Sequence, residues 1–287
     1  METERGQSLE TCDRLVRAWI GDVQDAVRSA LGSRLVGLYV HGSLAQGSYH
    51  PPKSDVDVLV VSAGSLPPDV RRDLGLTLAE VSGRRRPTVG GLELSVVTRD
   101  AAARPMYPVP YEVHYGDEHV AQILDSTFDW ARQRVDPDLS AHFQSVRESG
   151  VALLGPPVHA VFGAVAPAHF EAAVLADLEW LLKAENILVS PFYAVLNCCR
   201  ILMVRAGAWP GLVPSKEGAG QWALDHVPPA HRPTVDAALA AYRSPARPPA
   251  EERRTAGLQW DRDALLAFRD WMRGLGIDGP RPGGTSA

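Results

Sequence analysis

Nowhere in the 287 residues is there an apolar run long enough to cross a bilayer. Residues 1–6 are polar and charged, with no hydrophobic leader segment behind them, so a cytoplasmic protein is expected. Cysteine is scarce: Cys12, Cys198 and Cys199 are an odd set, two are adjacent, and none stands at metal-ligand spacing. That excludes a disulfide framework and a zinc site. An excess of positive charge is also missing, the formal net charge being −5. A nucleic-acid binder needs a basic face, so a cationic small-molecule partner fits this chain better. With 45% hydrophobic and 22% charged residues, the chain is an ordinary globular protein, long enough for two modest domains.

What is present begins with two apolar, β-branched runs, 35–40 and 56–61, on either side of a connection rich in Gly, Ser and Pro. Before them Leu9, Leu15, Val16, Trp19, Ile20, Val23, Val27 and Leu31 recur at helical spacing, predicting an amphipathic helix over 8–31 that stops at Gly32. A second helix is expected over 69–82 and a third strand over 92–97. The Pro- and aromatic-rich stretch 99–122 reads as irregular, with a short strand over 111–115. A helix over 138–150 follows, closed by the apolar run 151–154, and Gly155-Pro156-Pro157 marks a domain boundary.

Beyond that break the pattern is helical throughout: 168–188, 190–206, 215–226, 230–243 and 261–275, with a Pro-rich loop over 244–255. The expected fold class is therefore α+β, a mixed β-sheet with helices over 1–157 and an α-helical bundle over 158–278, followed by a disordered tail over 279–287.

Asp55 and Asp57 carry the strongest chemical signal. Alternate strand residues share a face, so the two carboxylates project together while Val56 and Val58 turn inward. Asp is disfavoured inside strands, and two adjacent carboxylates repel unless a cation lies between them. Hard oxygens of this kind suit Mg²⁺ together with substrate phosphates. The Gly42-Ser43 turn after the first strand can offer backbone N–H groups and a hydroxyl to an anion. Glu93, between Leu92 and Leu94, supplies a third acid that could complete a metal site or act as a base. His41 reads as a packing residue, Arg84 to Arg86 as a solvated loop, and Cys198 and Cys199 as core fillers.

Gly42-Ser43, Ser54-Asp55-Val56-Asp57 and the strand acid in Leu92-Glu93-Leu94 together resemble the nucleotidyltransferase superfamily. The resemblance extends further. Asp136-Pro137-Asp138-Leu139, Arg147 through Gly155-Pro156, Leu196-Asn197-Cys198-Cys199-Arg200, Lys216-Glu217-Gly218-Ala219, Trp222-Ala223 and Tyr242 resemble the aminoglycoside adenylyltransferases of the streptomycin/spectinomycin 3″(9) type. It spans about 36 to 242.

This resemblance implies an N-terminal nucleotidyltransferase domain and a helical C-terminal domain, with ATP and acceptor meeting in the cleft between them. It implies that Gly42, Ser43 and Ser54 bind nucleotide phosphates, that Asp55, Asp57 and Glu93 hold Mg²⁺ (two ions), and that Glu93 is also the base. Asp138, Arg200, Lys216 and Tyr242 would contact ATP or the acids around it. The implied reaction is transfer of AMP from ATP to a hydroxyl of an aminoglycoside or aminocyclitol antibiotic, conferring resistance, by a monomer with neither a membrane nor a nucleic-acid partner. Streptomycin-modifying relatives use a Trp and acidic residues in the segment before the Leu196 helix. Here 179–191 offers Trp180 but neutral Asn186 and Ser190, so spectinomycin is expected ahead of streptomycin. Glu112, Trp180 and Glu185 are the acceptor candidates. Two other readings stand beside this one: transfer to a different hydroxyl, on a natural-product intermediate, a protein or a tRNA, and a non-catalytic nucleotide sensor. Three intact clustered acids speak against the sensor.

Overall fold

Asp13, not Ser8, opens the first helix of the structure, a computed structural model that describes residues 6–83, 86, 87, 90–208, 211 and 213–276. Its carboxylate accepts from Leu15 N at 2.8 Å as an N-cap. Helix α1 (Arg14–Leu31) is therefore shorter than the periodicity suggests. The preceding segment folds instead into a turn, in which Ser8 N donates to Thr11 Oγ1 at 2.8 Å. Arg84, Arg85 and the expected tail over 279–287 lie outside the described residues.

The chain divides into two compact units, Gly6–His169 and a second that begins at Phe170. After α1 the first unit runs β1 (Leu35–His41), the one-turn α2 (Gly42–Ala45), β2 (Val56–Ser62), α3 (Pro68–Gly83) and β3 (Leu92–Thr98). There follow α4 (Arg99–Ala103), β4 (Val109–Tyr111), β5 (Val113–Tyr115), α5 (Val120–Leu124), β6 (Arg134–Asp136), α6 (Leu139–Ser149), β7 (Val151–Leu154) and α7 (Val158–Val161). The sheet order is β5-β3-β2-β1-β7, with β2 and β3 parallel and the other neighbours antiparallel. A parallel pair needs a crossover connection, and α3 supplies it.

Strand alternation gives the sheet two cores. Val56, Val58, Val60, Leu92, Leu94 and Val96 face Trp19 and Val27 of α1 and Leu74 and Leu78 of α3. Tyr39, Leu59, Val61 and Val97 face Leu139, Phe143 and Val146 of α6 with Val158, Val161 and Phe162.

Three further predicted elements of the first unit change. The run 151–154 is a strand, since Gly150 is extended (φ −64°, ψ 146°) and Val151 and Ala152 pair with Val40 and Tyr39 of β1. The single strand expected over 111–115 is two, β4 pairing with β6 and β5 with β3, because Glu112 between them turns into a buried ion pair with Arg71. The Gly42-Ser43 turn continues into the helical turn α2.

The second unit is helical: α8 (Pro167–Leu181), whose first three residues belong to the first unit, α9 (Ala184–Val189), α10 (Pro191–Arg205), α11 (Lys216–His226), α12 (Arg232–Arg243) and α13 (Arg262–Gly274). Helix α10 lies at its centre, burying Leu196, Cys198, Cys199 and Ile201 with Ala223 of α11, Leu239 of α12 and Phe268 of α13. The helix expected over 168–188 breaks in two. Lys183 is extended (φ −66°, ψ 138°), and Asn186 Nδ2 donates to the Trp180 carbonyl at 2.7 Å, satisfying a carbonyl at the end of α8.

Candidate active site

Sheet register builds the first part of the site. His41 at the end of β1 pairs with Asp57 of β2, and Asp57 in turn pairs with Glu93 of β3. Residues paired across neighbouring strands point to the same face, so the three side chains form a row at one end of the sheet. Asp55 stands just ahead of β2 and shares that face. The outcome is a cluster in which carboxylate oxygens of Asp55, Asp57 and Glu93 all lie within 4.8 Å of one another, each residue partly buried.

Two glycines let the backbone close on these acids. Gly42 has φ +64°, and a Cβ there would overlap the Asp57 carboxylate. Glycine adopts that conformation without penalty, so the turn lies directly against the acid. At Gly90 a Cβ would run into the Ser54 carbonyl, and Val56 N donates to Gly91 O at 2.9 Å, which presses the start of β3 onto the Ser54-Asp55 segment. Ser54 is buried, its hydroxyl accepting from His50 N at 3.0 Å. Among the described residues Ser43 Oγ is buried with no hydrogen-bond partner, a state that ordinarily costs about 1–3 kcal/mol unless a ligand supplies the missing bond.

Helix α6 adds a residue that the motif does not contain. His142 Nε2 lies 3.0 Å from Asp138 Oδ2 and 3.7 Å from Glu93 Oε1. Its ring meets that of His41 edge-on, centroids 5.0 Å apart. Burial disfavours the charged imidazole of His142, yet Asp138, by charge and hydrogen bond, together with Glu93 and Asp57, holds its pKa well above the usual histidine value. His41 goes the other way, pushed well below by burial and by the neighbouring His142. Burial raises the Glu93 carboxyl; His142 opposes the rise, Asp55 adds to it, and His114 and Asp138 contribute smaller shifts of opposite sign. The clustered carboxylates are hard oxygen donors of the kind a cation-assisted phosphate site uses.

Within the second unit, Arg200 and Lys216 each have fixed neighbours. Arg200 Nε donates to Pro214 O at 2.8 Å and Nη1 to Asn197 Oδ1 at 2.9 Å, which fixes the guanidinium. Asn197 Nδ2 in turn donates to Tyr193 O at 3.0 Å. Lys216 begins α11 behind the N-cap Ser215, and its Nζ lies 4.7 Å from the centroid of the Tyr193 ring. Tyr242 is different: only 2% exposed, it packs in the helical core with its ring 6.5 Å from that of Phe192.

The acceptor candidates separate as clearly. Glu112 is buried, its carboxylate taking Arg71 at 2.7 Å and Leu66 N at 2.7 Å. It is thus committed to the protein's own interior. Trp180 ends α8 half-exposed, and Glu185 lies exposed in the first turn of α9. His142, Asn197 and Tyr193 contact candidate residues, and the motif reading gave none of them a role. The one signal available for His142 was its i,i+4 spacing from Asp138, which places the two on one helix face.

Two family models match the chain: "Nucleotidyltransferase domain" over residues 22–88 and "Aminoglycoside adenylyltransferase, C-terminal domain" over 160–264. A spectinomycin 9-adenylyltransferase of Staphylococcus aureus is 29% identical over 219 residues, covering 76% of this chain and 81% of that one. An aminoglycoside (3″)(9) adenylyltransferase of Klebsiella pneumoniae is 26% identical over 236 residues, covering 79% and 85%. Among solved structures, a spectinomycin adenyltransferase from Enterococcus faecialis, crystallised with ATP and spectinomycin, shares the fold with a TM-score of 0.74 at 19% identity, over 90% of this chain and 98% of that one.

Proposed function

This chain is an enzyme that belongs to the aminoglycoside nucleotidyltransferases of the streptomycin/spectinomycin 3″(9)-adenylyltransferase type, and we propose that it transfers AMP from ATP to a hydroxyl of spectinomycin in a Mg²⁺-dependent reaction, with streptomycin the poorer acceptor. The observation that carries the proposal is the cluster of Asp55, Asp57 and Glu93 within 4.8 Å, set against the Gly42 turn. Three hard oxygen donors and the orphaned Ser43 hydroxyl fit a divalent cation with a phosphate beside it. Asp55, Asp57 and Glu93 are the residues that would hold Mg²⁺. The chemistry such ions supply is neutralisation of phosphate charge and stabilisation of the attacking and leaving oxygens.

The chain's own groups divide the remaining work. Gly42, Ser43 and Ser54 orient the phosphates through backbone N–H groups and hydroxyls. Glu93 takes the proton of the acceptor hydroxyl as its oxygen bonds to the α-phosphorus, and the bond to the bridging oxygen breaks to release pyrophosphate. Arg200 and Lys216 are assigned to the triphosphate as charge partners. Arg200 comes already oriented by Asn197 and Pro214, which lowers the entropy lost on binding. Tyr242 is assigned to the packing of the helical core. Spectinomycin is favoured because position 186 carries a neutral amide already donating to the Trp180 carbonyl. The strongly cationic guanidino groups of streptomycin would find no carboxylate at that position.

The direct test incubates the protein with ATP, Mg²⁺ and each drug and follows the mass of an AMP adduct. Adduct with spectinomycin, formed one for one with pyrophosphate and faster than with streptomycin, is the expected result. Absence of adduct with either drug, or preference for streptomycin, overturns the proposal. Chelation of divalent ions is expected to stop the reaction.

Replacement of Gly42 by alanine is expected to lower kcat/KM about a hundredfold, since the added methyl displaces the Asp57 carboxylate and small displacements at a reacting centre are costly. Its thermal midpoint is expected to fall by only about 2–4 °C, the consequence of roughly 1 kcal/mol of backbone strain in the left-handed region. Steady-state kinetics beside a thermal melt read both.

A further inference from the structure

The first turns of α6 point a histidine at the acid cluster, and nothing in the proposed reaction yet uses it. The Asp138 carboxylate holds His142 Nε2 at 3.0 Å, and the same nitrogen lies 3.7 Å from Glu93 Oε1. From the other side the imidazole rests edge-on against the buried His41 ring. Leu139, Phe143 and Val146 of the same helix are buried apolar residues that pack against the sheet. A histidine among them costs desolvation that a leucine would not. Helix stability therefore does not account for His142, whereas its two carboxylate partners do.

We propose that His142 is a positioning residue for Glu93, itself held by Asp138, and that Asp138 serves the reaction through this imidazole rather than by touching the nucleotide. The inference rests on the reading of Glu93 as the base. Glu93 reaches its place from β3 through a flexible two-carbon stem, and its register partner Asp57 repels it. A group packed beside it keeps the carboxylate from turning away. His142 is that group, and Asp138 together with His41 leaves its ring little freedom of its own. The line Asp138, His142, Glu93 thus carries orientation from a helix to the reacting end of a strand.

The test uses the full chain with ATP, Mg²⁺ and spectinomycin, comparing His142→Ala, His142→Gln, Asp138→Ala and the His142→Ala/Asp138→Ala double variant. Expected for His142→Ala is a kcat about ten- to a hundredfold lower, with the KM for ATP within about twofold of wild type. His142→Gln, which keeps a donor within reach, is expected to recover most of the loss. Asp138→Ala should mimic His142→Ala, and the double variant should be no worse than either, because both act through one contact. An unchanged kcat in His142→Ala, additive losses, or an Asp138→Ala whose KM for ATP rises with kcat intact overturns the proposal. The last result would put Asp138 on the nucleotide. A crystal structure of His142→Ala gives a readout independent of turnover: the Glu93 carboxylate is expected to leave its position beside Asp57, and an unmoved Glu93 overturns the idea. Full turnover in Glu93→Gln would instead strike at the reading of Glu93 as base, so the two failures are distinguishable.

Discussion

Replacing Glu93 with glutamine is expected to lower kcat by about 10²–10⁴-fold, the range that a positioned proton acceptor contributes, while the protein melts no lower than wild type. The substitution keeps shape and volume and removes only the charge. That charge lies within 4.8 Å of the oxygens of Asp55 and Asp57, where burial already pushes its proton affinity up. Without a cation the three acids repel one another, so the folded state carries strain that the glutamine relieves. An upward shift of the melting midpoint in metal-free buffer, beside the collapse of turnover, is the expected pairing, since sites that concentrate like charge do so at the expense of stability. Adduct formation at the wild-type rate would remove Glu93 from the role of base. A melting midpoint that falls by several degrees would show that its charge is structurally required.

The acids themselves were legible because strand alternation is a short-range rule: Asp55 and Asp57 had to share a face wherever β2 went. Their meeting with Glu93 depends instead on the parallel register Asp57 to Glu93, which is decided by the crossover through α3 and leaves no mark in the sequence. His142 was hidden for the same kind of reason. Its spacing from Asp138 is visible, but the rotation of α6 on the sheet, set by Leu139, Phe143 and Val146, decides that this helix face meets His41 and Glu93.

Short apolar runs were ambiguous in a different way. Val151 to Leu154 fit a helix end or a strand equally well by pattern, and the open side of β1 settled the matter. The division of 168–188 turned on one side-chain amide, Asn186, reaching back to Trp180. Local polar competition of that kind is invisible to hydrophobic periodicity. Glu112 looked like an acceptor contact, and its partner Arg71, on helix α3, takes it out of solvent.

That buried pair is the site of the largest expected loss of stability: Glu112→Ala should destabilise the fold by about 3–5 kcal/mol, the usual consequence of leaving one partner of a buried ion pair alone. Arg71 Nη2 lies 2.7 Å from Glu112 Oε2, with side-chain exposures of 7% and 4%. The same carboxylate oxygen accepts from Leu66 N at 2.7 Å and Ser65 Oγ at 3.1 Å. The guanidinium also reaches Trp130 O at 3.4 Å and Gln133 Oε1 at 3.3 Å. Four segments, the 65–66 turn, α3, the β4–β5 junction and 130–133, are joined at one point. Removing the carboxylate strands a buried cation whose Nε already lacks a partner among the described residues. At about 2–4 °C per kcal/mol for a chain of this size, the thermal midpoint should drop by roughly 6–20 °C. The double variant Arg71→Met/Glu112→Leu, which fills the same space without charge, is expected to regain most of that loss, since well-packed apolar replacements of buried pairs are often neutral. If Glu112→Ala melts like wild type and instead raises the KM for the drug alone, the carboxylate belongs to acceptor binding and not to this junction.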